Sequence, residues 1–154
     1  MADQAHEAMV QQGVAEWNQW RQQCPEIWPD LSGSDFSGKD LTYANFSRCN
    51  LSGTDFRTAV LRQADFSRAD LRNADISRAD ISYANFSNAL LVGLRHSGTD
   101  RSKADFSGTP LDFQYRRYKR ESLFSALVGK TASRQFLFII IVIIVTYLGL
   151  AIKC

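Results

Sequence analysis

The sequence predicts a mainly β chain: a parallel solenoid of square coils, with a capping helix before it and one transmembrane helix at its C-terminal end. Three observations predict it. Apolar residues recur at every fifth position from Leu31 onward. A second recurrence, at every twentieth position, lies inside the first. Phe136 to Ile152 runs without a charge.

The chain has 154 residues and a formal net charge of +2, a length suited to one compact domain with attachments. Its average composition hides an asymmetry. Residues 30–113 are polar and regular, residues 136–152 are almost purely apolar, and a basic stretch joins them. Cys24, Cys49 and Cys154 are odd in number and form no CxxC pair. No disulfide framework is expected, and a reducing compartment is the default. The opening residues, Met1 to Glu7, contain neither a basic nor an apolar signal region, so no signal peptide is expected.

The five-residue period has a centre position that reads Leu31, Phe36, Leu41, Phe46, Leu51, Phe56, Leu61, Phe66, Leu71, Ile76, Ile81, Phe86 and Leu91, and resumes with Phe106 and Leu111. Two residues before most centres sits a small residue, such as Ala44, Thr54, Ala64 or Ala84. Asp or Asn lies between the two, and Ser, Thr or Arg usually follows the centre. Small, Asp, Phe alternates in-out-in, as a short strand does. The next two residues, often Ser-Gly or Ser-Arg, suit a corner. An α-helix repeats its apolar face every three to four residues and cannot fit a period of five. The sets Leu31, Leu51, Leu71, Leu91, Leu111 and Phe46, Phe66, Phe86, Phe106 recur at intervals of twenty. Four sides per turn would stack each set into a column at the ~4.8 Å strand spacing.

The runs Ala64-Asp65-Phe66-Ser67-Arg68, Ala69-Asp70-Leu71-Arg72-Asn73 and Ala74-Asp75-Ile76-Ser77-Arg78 resemble the pentapeptide repeats of the A(D/N)LXX type. The resemblance covers residues 29–113 and implies the family's right-handed quadrilateral parallel β-helix. The lead-in Glu16 to Arg21, then Pro25, Pro29 and Asp30-Leu31-Ser32-Gly33, is similar to cyanobacterial members.

One coil cannot bury its own faces, so the open ends of a solenoid need caps. Residues 1–28 supply the N-terminal capping helix and lead-in. The helix is expected over residues 3–23, with Met9, Gly13, Trp17 and Trp20 on one face, and Pro25 and Pro29 ending it. Trp17 and Trp20 read as apolar capping, with ligand binding as the alternative. The coil that begins at Leu90 departs from the repeat. His96 and Arg101 take centre positions, and Leu90 and Arg95 replace Asp or Asn. Burying an unpaired Arg is costly, so residues 92–103 are expected to bulge or form an irregular coil. That segment is either a poorly packed end or a projecting loop. In the second reading Arg95, His96, Arg101 and Lys103 are the candidate partner-binding residues.

The apolar run 136–152 would span ~25 Å as a helix, the short end of the transmembrane range. A buried core helix is rejected, because the run is apolar all round and the solenoid interior is already filled. Residues 114–135 form a basic juxtamembrane segment in which Arg116, Arg117, Lys119, Arg120, Lys130 and Arg134 are candidates for contact with the membrane surface. Their excess over Lys153 places the solenoid in the cytoplasm by the positive-inside rule, and the layout is tail-anchored. A short amphipathic helix over residues 122–128 could lie in the interface.

Chemistry is not indicated. His6 and His96 stand in no metal or triad spacing, and no phosphate-binding or zinc-protease motif occurs. No cofactor, metal or catalytic residue is expected. Asp35, Asp55 and Asp75 should stack on one side, and some members of the resembled family protect DNA gyrase by mimicking DNA with acidic faces. Here Arg48, Arg57, Arg62, Arg68, Arg72 and Arg78 balance the acids, so nucleic-acid mimicry is disfavoured. The expected role is a non-enzymatic scaffold, accessory subunit or assembly factor with protein partners at a lipid bilayer. A thylakoid complex is the candidate by analogy with cyanobacterial members, and the plasma membrane is the other location considered. A self-associating homo-oligomer is the alternative, although Gly149 alone forms no GxxxG seam.

Overall fold

A corner at every fifth residue sets the architecture. The computed structural model describes residues 2–109. In this region each centre carbonyl accepts a hydrogen bond from the amide three residues on, as in Ser34 N to Leu31 O (3.2 Å) and Ala69 N to Phe66 O (3.0 Å). The residue two after the centre has positive φ, which is the signature of a type II turn. Glycine fills that place at Gly33 (φ 71°), but nine other residues fill it too, from Tyr43 to Asn88. Each non-glycine corner costs on the order of 1 kcal/mol, so the rest of the coil must hold it there.

Parallel pairing twenty residues apart provides that hold. Bridges run from Asp30–Asn50 to Asn85–Asp105. The centre amide donates up to the next coil (Leu31 N to Asn50 O, 2.8 Å), and the corner amide does the same (Gly33 N to Ser52 O, 2.9 Å). This leaves the amide between them without a ladder partner. The preceding Asp or Asn accepts it: Ser67 N donates to Asp65 Oδ1 (2.9 Å) and Ser87 N to Asn85 Oδ1 (2.9 Å). The repeat therefore asks for a short side-chain acceptor at that outward place, and Asp and Asn are the residues whose geometry closes such a turn.

Four sides result, named here by their outward residues. Side 1 carries Asp30, Asn50, Asp70 and Leu90. Side 2 carries Asp35, Asp55, Asp75 and Arg95. Side 3 carries Asp40, Val60, Asp80 and Asp100. Side 4 carries Asn45, Asp65, Asn85 and Asp105. The interior is as the repeat predicts. Leu31, Leu51 and Leu71 are fully buried, as are Phe46, Phe66 and Phe86. Phe66 and Phe86 stack at 4.8 Å with planes 6° apart, and Phe86 and Phe106 at 4.8 Å and 8°. Ring spacing thus equals the strand spacing, and offset stacking adds to area burial.

The N-terminal cap is two helices rather than one. Helix α1 (Gln4–Gln12) and helix α2 (Val14–Gln23) break at Gly13, whose φ of 145° and tight approach to Glu16 suit glycine alone. The break rotates the buried face, which becomes Val10, Trp17 and Arg21, with Met9, Val14 and Trp20 packed alongside. The cap also serves the open edge of the first coil. Trp17 Nε1 donates to Asn45 O (2.9 Å), Asn18 Nδ2 to Tyr43 O (2.9 Å), and Asn45 N to Asn18 Oδ1 (2.8 Å). An open sheet edge would otherwise template aggregation.

Among the described residues no helix is long and apolar enough to cross a membrane. The predicted span 136–152, the basic segment 114–135 with Arg116, Arg117, Lys119, Arg120, Lys130 and Arg134, and the last residues of the predicted solenoid lie outside the described residues.

Two predictions follow from the corners and their acceptors. Thr58 is β-branched with φ 59°, a strained combination. Thr58→Asn keeps a side chain that tolerates this conformation and should raise stability by roughly 1 kcal/mol, read as a higher urea midpoint; an unchanged or lower midpoint refutes the strain. The Asp acceptors give an acid transition. Asp80 is held down to about 2 by the Ser82 hydroxyl first and the Arg62 guanidinium second, and Asp30, Asp35 and Asp40 are lowered in the same direction by Ser and Thr hydrogen bonds. Unfolded Asp titrates near ~3.9. The contribution is therefore complete above about pH 4 and lost as pH falls toward about 2. The urea midpoint should fall across that window, and Asp80→Asn, which keeps the turn acceptor, should flatten the fall.

Candidate interaction surface

The repeat satisfies its own polar groups, so the places where outward residues break the pattern are the places with capacity left for a partner. On the three coils before residue 90, the arginines that follow a centre are paired with outward acids, while Arg48, Arg68 and Arg78 at corners are not, among the described residues. Arg57 binds Asp55 (2.6 Å) and Arg72 binds Asp70 (2.6 Å) from the neighbouring position of the same side, while Arg62 reaches Asp80 on the next coil (2.5 Å). These are exposed pairs, worth little each, but they leave those sides electrostatically quiet.

In the coil that begins at Leu90, the irregularity expected over residues 92–103 is present on one side only, and there is no bulge. The twenty-residue register continues without insertion. Ile76 N donates to Arg95 O (2.8 Å), Arg78 N to Ser97 O (3.0 Å), Asp105 N to Ala84 O (2.9 Å) and Phe86 N to Asp105 O (2.7 Å). The irregularity is confined to side 3. Asp80 bridges back to Val60, but no bridge joins Asp80 to Asp100. Lys103 is the one corner residue among the described repeats without positive φ. Arg101 stands at the centre of that side, above fully buried Ile81. A guanidinium there cannot take the place of a leucine without a partner, so this one side leaves the ladder while its neighbours stay.

The four predicted partner-binding residues are therefore not one projecting loop. Arg95 stands outward on side 2 and completes the acid column, with Nε 3.0 Å from Asp75 Oδ2. His96 is half-buried at the centre of the same side, and Arg101 is half-buried at the centre of side 3. Lys103 is exposed at the next corner, with Nζ 5.6 Å from the centroid of the exposed Tyr83 ring, a cation–π distance. Arg95 and Lys103 are thus held by partners within the solenoid, and they frame the coil from two sides.

Sequence reasoning missed the apolar part of this coil. Leu90 is 53 % exposed and Val92 69 % exposed, both on side 1 where lower coils present Asp70, Arg72, Asn50 and Ser52. Leu90 had been noted only as a lost Asp or Asn. The signal was present in the twenty-residue spacing, which assigns Leu90 and Val92 to solvent as firmly as it assigns Leu91 to the core. The lead-in also exposes Ile27 and Trp28.

No curated protein matches the chain in sequence. Among solved structures, a pentapeptide repeat protein from the thylakoid lumen of Arabidopsis thaliana is 34 % identical over 58 % of this chain and 72 % of its own, with a TM-score of 0.45. HetL, a pentapeptide repeat protein involved in heterocyst differentiation regulation in the cyanobacterium Nostoc, is 31 % identical over 52 % of this chain and 39 % of its own, at 0.41. A second Nostoc pentapeptide repeat protein is 25 % identical over 65 % of this chain and 90 % of its own, at 0.37. The family model for pentapeptide repeats matches residues 28–57 and 58–93 with eight copies. Those segments are the ones whose corners, ladder and Asx acceptors are described above, and the chain belongs to the pentapeptide-repeat family, whose members form right-handed quadrilateral β-helices.

Proposed function

We propose that this chain is a non-enzymatic scaffold: a rigid solenoid, tethered to a membrane by its C-terminal segment, whose coil at residues 90–109 docks a protein partner. The observation that carries the reading is the pair Leu90 and Val92, exposed on an otherwise polar side. A solvent-facing Leu gives the coil nothing that Asp would not, and it forfeits the side-chain acceptor for the turn amide. Covered by a partner, each such side chain contributes about 1.5–3 kcal/mol. Arg95 on the adjoining side 2 favours a partner with an acidic rim. The tether rests on the uncharged run 136–152, and a solenoid facing the cytoplasm rests on the basic flank before it. A thylakoid or plasma membrane location follows the lead-in's similarity to cyanobacterial members. The role is that of an accessory subunit or assembly factor.

The test uses two substitutions that return the coil to the repeat. Leu90→Asp restores the turn acceptor and Val92→Ser its usual follower, so the double variant should fold at least as well as the parent. Native electrophoresis of the full chain in mild detergent, with mass spectrometry of the co-migrating band, should show the parent in an assembly larger than itself. The double variant should be released, its affinity lowered about tenfold or more. Migration of the parent alone, or as a homo-oligomer that the substitutions leave intact, refutes the scaffold reading.

A further inference from the structure

Arginines that follow a centre pair with outward acids, whereas those at corners, Arg48, Arg68 and Arg78, form no ion pair among the described residues. Arg57 and Arg95 pair with acids on side 2, Arg62 on side 3 and Arg72 on side 1. Arg48 and Arg68, stacked at successive corners after Phe46 and Phe66, form no ion pair among the described residues, and neither does Arg21 of α2. These three converge on one hollow of about 440 Å³, whose other walls are Ser47, Ser67 and Ser87, with amide side chains and Pro25 completing it and no carboxylate lining it. Asp65, the acid of this side in those coils, turns its Oδ1 to Ser67 N (2.9 Å) and Asn85 Nδ2 (3.1 Å).

Arg21 is the second, independent sign. It is only 5 % exposed. Nη1 donates to Ile27 O (2.9 Å) and Nη2 to Ser47 O (2.7 Å), while the shielded Nε has no hydrogen-bond partner. Its guanidinium lies 5.9 Å from the Trp17 ring centroid. Two carbonyls satisfy donors but do not neutralise a buried charge, and a buried cation without a counter-charge is costly. Capping the open edge does not require the charge either, because Trp17 and Asn18 do the same work on neighbouring carbonyls with neutral donors. Arg21 therefore adds an uncompensated positive charge to the wall of the hollow.

We propose that the side 4 hollow binds a small polyanion carrying adjacent phosphoryl groups. Guanidinium forks match phosphate oxygens in bidentate geometry. Arg48 and Arg68 sit one coil apart, ~4.8 Å by the strand spacing, which suits two linked phosphoryl groups better than one isolated anion. The serine row offers hydroxyls between them, and the volume lies in the range of small-molecule sites. A free phosphorylated metabolite and a phosphorylated lipid headgroup share this chemistry.

The test is a calorimetric titration of the full chain, in detergent, with inorganic pyrophosphate at constant ionic strength. Saturable binding at one per chain is expected. Arg48→Asn with Arg68→Asn should weaken it about tenfold or more, and thermal unfolding of the unliganded protein should not change, because Asn already occupies the same corner column at Asn88 (φ 58°). Arg78→Asn, which removes an unpaired arginine from a corner outside the hollow, should leave binding as it was. In nanodiscs, loss of pyrophosphate binding with anionic but not zwitterionic phospholipid assigns the site to a headgroup, and retention in both assigns it to a soluble ligand. No saturable binding, or equal weakening by Arg78→Asn, overturns the proposal.

Discussion

The left-handed corner at every fifth residue is the constraint from which the rest of the molecule follows. A positive φ two residues after each centre turns the chain through one corner, and four such corners return it above its starting point. The ladder then pairs residue with residue at an interval of twenty. Nine of these corners are made by residues with a Cβ, one of them a threonine. Isolated, each would relax into an ordinary turn. The coils above and below prevent it, because a relaxed corner would break hydrogen bonds at both levels and shift every centre residue out of its column. Local strain and long-range register therefore hold each other in place, which is the nearest-neighbour cooperativity expected of a solenoid.

The same geometry separates the work of the side chains. Centre and small residues face a core with no room for variation, as the 4.8 Å ring stacks show. Outward Asp and Asn are not free surface residues, since each accepts the turn amide that the ladder leaves over. Only the residue after the centre and the corner residue remain for recognition. On sides 1 to 3 of the lower coils, Arg at the position after the centre is drawn into pairing with an outward Asp. On side 4 that position is serine, and arginine moves to the corner, where it pairs with no acid among the described residues. A one-residue difference in placement thus decides whether a cation stabilises the coil or stays available to a ligand.

Much of this was legible in the sequence, for reasons specific to repeats. Phe46, Phe66, Phe86 and Phe106 announce a column because an interval of twenty has few structural meanings. The outward Asp and Asn were legible as outward, but their role as acceptors was not, since alternation alone does not say which backbone amide lacks a partner. Gly13 sat inside an otherwise acceptable helical pattern, and only its backbone reveals two helices and a buried face that includes Arg21. Arg21 was hidden because arginine in a capping helix reads as solvated. In sequence the coil that begins at Leu90 looks more irregular than it is, because Arg95 reads as a defect alongside Arg101. Twenty residues earlier stands Asp75, the partner that makes Arg95 fit, whereas Arg101 follows Ile81 in its column and finds no such partner. The spacing that defined the columns could have separated the two arginines.

Departures from the repeat also differ in what they cost, and this bears on function. Arg101 costs the coil one side of its ladder, which is a structural price with no visible return inside the solenoid. Leu90 and Val92 cost little structurally, yet they place apolar surface in water where the repeat would place Asp and Ser. Arg48 and Arg68 carry only the strain of any non-glycine corner, while Arg21 of α2 carries its charge inward at a further cost. A rigid solenoid does not need to order itself on binding, so groups preset on its faces lose little entropy when a partner or anion arrives. The apolar pair lies on the last described coil, and the arginine-lined hollow runs along side 4 from the cap to Asn88, so both faces are preset by the same stack of coils.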